Sequence, residues 1–140
     1  MEFADTDAAT LIHFTSLFRY MEEAEHAFYR SLGATAFERT ETGFAGMPRV
    51  AASCEFLGPI RYGEEVEIRL ILREKRSKVL RYDVQFTRMD GERGTLVARG
   101  SMTVVHARRA HGDLEWSGSE LPADLLAQLE VTDSLAEEGE

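Results

Sequence analysis

The sequence predicts an α+β fold in which one helix packs against an antiparallel sheet, and three observations point there. A single segment near the N-terminus carries the 3-4 spacing of a buried helical face. Four strand-like segments follow it without another comparable helix. Two of the links between them are too short for a parallel crossover, which needs a dozen or more residues.

The helix is expected from about Ser16 to Leu32, with Leu17, Phe18, Met21, Ala24, Phe28 and Leu32 on one face. Thr15 or Ser16 is placed to cap its start, and Gly33 stands where a C-terminal glycine belongs. Val50–Leu57 is an apolar run closed by Gly58-Pro59. In Glu65–Arg73, Val66, Ile68, Leu70 and Leu72 share one side, and Leu80, Tyr82, Val84 and Phe86 do so in the next segment. Leu96, Ala98, Met102 and Val104 outline a fourth, with Gly100 marking a bulge or a close backbone approach. The expected order is a short first strand, the helix, then a meander of about four strands. Leu121–Leu129 forms a last short helix, with Pro122 tolerated in its first turn.

At 140 residues the chain is one domain with room for a real core. Its net charge of −9 is uneven: residues 113–140 hold nine acids and neither Lys nor Arg, which leaves sixteen acids against sixteen bases in residues 1–112. A folded domain over 1–112 with an acidic extension over 113–140, ending in a frayed tail, is the expected organisation. A neutral body has no basic stripe for nucleic acid. No apolar run reaches membrane-spanning length, and Met-Glu-Phe-Ala-Asp is unlike a secretory signal, so a cytoplasmic location is expected. Cys54 has no disulfide partner and reads as an inert, buried thiol. No histidine or cysteine has metal-ligand spacing, and no glycine-rich nucleotide motif is present, so no metal or cofactor is expected.

Three stretches carry a resemblance. Phe3-Ala4-Asp5-Thr6-Asp7-Ala8-Ala9-Thr10-Leu11-Ile12-His13-Phe14, the helix Arg19–Glu25 ending at Leu32-Gly33, and Phe56-Leu57-Gly58-Pro59-Ile60-Arg61-Tyr62-Gly63-Glu64-Glu65 occur in the order and spacing of one family. Together they resemble the 4-hydroxybenzoyl-CoA thioesterase-like (hotdog) family over residues 1 to about 106. The resemblance implies a hotdog fold, in which an antiparallel sheet wraps a long central helix. It also implies hydrolysis of acyl-CoA thioesters, and a homodimer or tetramer with active sites at subunit interfaces.

The same resemblance makes Asp7 the catalytic carboxylate. Thioester hydrolysis needs a group that attacks the carbonyl carbon or activates water against it, and donors for the oxyanion that develops. From the residues alone, capping a turn or the helix start is the plainer reading of Asp7, and it is the resemblance that favours catalysis. Asp5, two residues away, suits a structural hydrogen bond. His13 falls where the family places a polar ring near the thioester, and it also fits a packing role. Thr10 stands where the family usually has glycine, restricting the backbone beside the substrate. Phe14 and Arg61 are further candidates for substrate binding, Phe14 as part of an apolar pocket with a place in the core as the plainer reading. Glu22, Glu23 and Glu25 are rival acids on the helix, with a solvated or interface role as the plainer reading. Arg73, Lys75, Arg76, Lys78 and Arg81 cluster at one hairpin, where Arg76 and Lys78 are candidates for the coenzyme phosphates. A non-catalytic acyl-CoA or acyl-carrier-protein binding module on the same fold is the alternative left open. A dehydratase of the same fold fits the Asp-Thr-Asp loop less well.

Overall fold

The computed structural model describes residues 11–35 and 37–132. Helix α1 (Ser16–Ser31) is followed by β1 (Phe37–Arg39), β2 (Gly43–Gly46), β3 (Arg49–Phe56), β4 (Glu65–Lys75), β5 (Val79–Asp90), β6 (Arg93–Val105), β7 (Ala107–Ala110), β8 (Ser117–Gly118) and helix α2 (Ala123–Gln128). The strands form two antiparallel sheets of four, one in the order β3-β6-β5-β4 and a smaller one in the order β1-β2-β7-β8.

Glycine geometry stops α1 where expected. Gly33 takes φ +75°, its N–H donates to the Arg30 carbonyl, and the Ala34 N–H donates to Tyr29 at 2.8 Å. These are the two bonds of a Schellman ending. The start differs from expectation. Thr15 occupies the cap position but makes no side-chain cap bond; its hydroxyl goes to His13 Nδ1 at 2.7 Å.

The buried row of α1 is Leu17, Met21, Glu25 and Tyr29, spaced every four residues, while Phe18 stays 38% exposed. A helix of sixteen residues laid on one face of the larger sheet is therefore observed, its other face open to solvent, and not a long helix enclosed by the sheet. Beneath it, Leu80, Tyr82, Val84 and Phe86 of β5 are fully buried, as their alternation predicts. Gly100 is the close approach anticipated above: a Cβ there would lie 2.6 Å from the Ser53 carbonyl oxygen and 3.3 Å from Met21 Sδ.

The meander is corrected in one place. β4, β5 and β6 do form consecutive hairpins, but β3 pairs with β6, at the opposite edge from β4. The Leu57 and Gly58 N–H groups both donate to the Val97 carbonyl, so the chain leaves β3 attached to β6 and then crosses to β4 through residues 57–64. The short-link rule governs only the two true hairpins.

The C-terminal segment is stitched to β4. Leu121, Leu125 and Leu129 join the core cluster, the Lys75 ammonium donates to the Leu126 and Leu129 carbonyls, and Thr132 bonds both Leu72 and Arg73. His106 is buried between the sheets, with Nδ1 2.9 Å from Ser119 Oγ. Burial lowers its pKa, and nearby Arg108 adds to that.

Two outcomes follow. Gly100→Ala should cost roughly 2 kcal/mol in urea unfolding, because backbone and helix must both yield. Since the neutral His106 ring is favoured in the fold, its contribution is complete above the ordinary histidine pKa and falls as pH drops below it. The melting temperature of the parent should decline as pH falls below about 6.5, and by less in His106→Gln; an identical decline in both would remove His106 as the cause.

Candidate active site

Two segments distant in sequence meet at the start of α1. The Ile12 N–H donates to the Ile60 carbonyl at 2.8 Å, and Leu11 forms an antiparallel bridge with Arg61. Gly63, at φ +86°, lets the chain turn back, and the Glu64 carboxylate accepts the Arg61 N–H and closes the turn. The chain entering the helix is thus held against the Gly-Pro turn that precedes β4.

This junction presents His13 and Phe14. The rings stack with centroids 4.9 Å apart, and Phe14 is 61% exposed. The Thr15 N–H donates to His13 Nδ1 at 3.3 Å, in addition to the hydroxyl contact. An Nδ1 that accepts leaves the proton of a neutral ring on Nε2, which makes His13 a donor on the side away from the turn. His13, Thr15, Ser16 and Arg19 line a shallow pocket of about 320 Å³. Phe56, Leu57 and Tyr62, on the bridged turn and the strand end before it, are also largely exposed.

His13, Phe14 and Arg61 therefore converge at one end of the molecule. Asp5, Asp7 and Thr10 lie outside the described residues. Arg76 and Lys78 sit beyond the far end of β4, whose eleven residues separate them from Arg61 by about 35 Å along the strand. Their hairpin is also largely committed: Arg76 pairs with Glu74 at 2.6 Å, Arg81 contacts Glu74 and Asp83, and Arg73 pairs with Asp83 at 3.1 Å. With Lys75 on the α2 carbonyls, that basic cluster stabilises the hairpin and the C-terminal helix.

Of the three helix acids, Glu25 is the buried one, at 1% exposure. It accepts from Tyr29 Oη at 2.8 Å and from Arg49 through a close ion pair, and Tyr82 Oη donates to Tyr29 at 3.1 Å. Burial raises the Glu25 carboxyl pKa, against the pull of Tyr29 and Arg49. Burial also raises both phenols, so they remain donors. Glu22 stays on the surface and shares Arg49 at 3.4 Å. Arg49 went unnoticed in the sequence, although Glu25 carried a signal: it falls on the same i, i+4 row as Leu17, Met21 and Tyr29.

Cys54 is half-buried with its thiol pKa raised by that burial, which disfavours a reactive thiolate. Among the described residues, no group of three His, Cys, Asp or Glu is placed to hold a metal ion, and no helix is long and apolar enough to cross a membrane.

A profile of the Thioesterase-like superfamily matches residues 1–129. Over 106 residues the chain is 31% identical to a 1,4-dihydroxy-2-naphthoyl-CoA hydrolase of Prochlorococcus marinus, covering 70% of this chain and 66% of that one. The chain spans 57% and 66% of the length of the curated relatives it matches. Among solved structures, a gentisyl-coenzyme A thioesterase superposes with a TM-score of 0.72 at 25% identity, covering 89% of this chain and 94% of the other. The 4-hydroxybenzoyl-CoA thioesterase of Pseudomonas sp. strain CBS-3 superposes with a TM-score of 0.75 at 20% identity, covering 91% and 92%, a likeness of fold.

Glu25→Ala removes the acceptor for Tyr29 and Arg49 together. It should cost roughly 3 kcal/mol in denaturant unfolding, whereas Tyr82→Phe, which removes only the outermost hydroxyl, should cost about 1 kcal/mol. Two variants as stable as the parent would show that the network contributes nothing.

Proposed function

The chain belongs to the Thioesterase-like superfamily, and from that premise we propose that it hydrolyses acyl-CoA thioesters as a cytoplasmic homo-oligomer. The acyl group is aromatic or of short to medium length. Asp7 acts as the catalytic carboxylate: it attacks the thioester carbonyl or takes a proton from the attacking water, and the coenzyme leaves as its thiol. The observation that carries this reading is the junction at the start of α1, which leaves the Nε2 donor of His13 pointing away from its own turn. That donor is suited to a developing oxyanion or to orienting water. Phe14 and Arg61 stand at that same end, and they are assigned, with Thr10, to binding the substrate.

Oligomerisation is proposed through β3. It is an edge strand of the larger sheet, and most of its residues are exposed, including Val50, Ala51, Ala52 and Ser53. An open edge with small side chains favours pairing with a second copy, which brings the α1 start of one protomer close to its partner. At the other edge, the Leu72 carbonyl of β4 is taken by Thr132.

Free-thiol release from a panel of aromatic, short and medium acyl-CoAs tests the reading. Asp7→Asn keeps the shape and removes the base, so turnover should fall by about a hundredfold or more. Equal turnover in both proteins would exclude Asp7. Binding of acyl-CoA with no turnover in either would favour a non-catalytic binding module.

A further inference from the structure

The smaller sheet carries a row of alternating cations and rings. Arg39 lies directly opposite Phe44, and Phe44 opposite Arg109, across three neighbouring strands. The guanidinium carbons sit 5.6 Å and 4.9 Å from the Phe44 centroid, and that of Arg109 is also 5.5 Å from the Trp116 ring. Phe37 stacks on Phe44 at 5.6 Å and reaches Trp116 at 6.4 Å. Among the described residues neither Arg39 nor Arg109 makes an ion pair, and Arg109 Nε is buried without a hydrogen-bond partner. These contacts join the two guanidinium groups and the three rings in one continuous row.

The row ends at a cleft of about 620 Å³ between the smaller sheet and the second half of α1, a volume suited to a small-molecule ligand. Phe37 and Trp116, 58% and 40% exposed, form one wall. His26 and Arg30 of α1 face the same space, and among the described residues Arg30 makes no ion pair. The two acids in the cleft, Glu22 and Glu25, are both bonded to Arg49. The cleft therefore offers two exposed aromatic rings, tilted 58° to each other, beside the Arg30 guanidinium and the His26 imidazole, which matches a group that is flat at one end and anionic at the other.

We propose that this cleft binds a purine nucleotide, with its base against Trp116 and Phe37 and its phosphates on Arg30 and His26. The nucleotide is the coenzyme end of the acyl-CoA, an assignment that rests on the hydrolase reading above. His26 lies ten residues beyond the first residue of α1, about 15 Å along the axis, a separation within the reach of an extended pantetheine arm. The committed hairpin of Arg76 is then not the nucleotide site.

Trp116 is the only tryptophan, so its emission reads the cleft directly. Titration with adenosine 3′,5′-bisphosphate, which lacks both arm and thioester, should quench Trp116 saturably. Arg30→Gln should weaken the midpoint about tenfold, the scale of one charge-assisted contact. Phe37→Ala should weaken it as well, and Arg76→Gln should leave it unchanged. No quenching in the parent, or a midpoint moved by Arg76→Gln and not by Arg30→Gln or Phe37→Ala, overturns the site. The bisphosphate should also compete with acyl-CoA in turnover and leave hydrolysis of an acyl-pantetheine untouched. Quenching without competition overturns the assignment to the coenzyme end and makes this a site for a free nucleotide. Quenching in a protein that turns over no acyl-CoA sinks the hydrolase reading while the nucleotide site stands.

Discussion

Glu25 is held by groups from three elements: Tyr29 one turn further along α1, Arg49 at the head of β3, and through Tyr29 the hydroxyl of Tyr82 in β5. A carboxylate at 1% exposure is tolerated only with such partners, because an unpaired buried charge is far costlier than an apolar side chain. The requirement fixes geometry. Helix rotation moves Glu25 away from Arg49, and sliding of β3 moves Arg49 away from Glu25. Met21 over the bare Cα of Gly100 sets the distance between helix and sheet, and the buried ion pair sets the angle. Both ends of α1 then have defined surroundings, the His13 junction at one and the aromatic cleft at the other.

The two ends differ in kind. At the start of α1 the described groups are the His13 imidazole, exposed apolar rings and Arg19, with further charge on the turn that bridges to it. Beside the second half of the helix lie acids paired with Arg49, the Arg30 guanidinium and the rings of Phe37 and Trp116. On the reading proposed above, the first end receives the reacting carbonyl and the second a charged, flat group, and the helix joins them.

Much of this was legible in the residues. The α1 boundaries followed from spacing and from Gly33, and the strict alternation of Leu80, Tyr82, Val84 and Phe86 located a core strand because one face of that sheet is buried and the period of a strand is two. Gly100 signalled a close approach, which the structure places beneath Met21. What the sequence did not reveal depends on distant partners. β1 and β2 are three and four residues long and become strands only through β7, more than sixty residues later. The placement of β3 beside β6 follows no local rule. Glu25 reads as one of several surface acids until Arg49, 24 residues away, gives it a reason to be buried. On the site, the residues singled out His13, Phe14 and Arg61 one by one but not the Leu11–Arg61 bridge that joins their segments, nor the strand length that separates Arg76 and Lys78 from that junction, because both depend on pairing between distant segments.

The position of β3 also bears on how the chain acquires its structure during synthesis. Arg49 pairs with Val104 and Phe56 with Ala98, so strand β3 has no template until almost the whole domain has emerged from the ribosome. The β4–β5–β6 hairpins are local and close quickly, whereas docking of β3 waits for a loop of 42 to 55 residues to be closed. Until then the apolar row of α1 and the edge of β3 both lack their cover. The nascent chain therefore passes through an interval in which its stickiest surfaces are the last to be sheltered, and that interval ends only when β6 is complete.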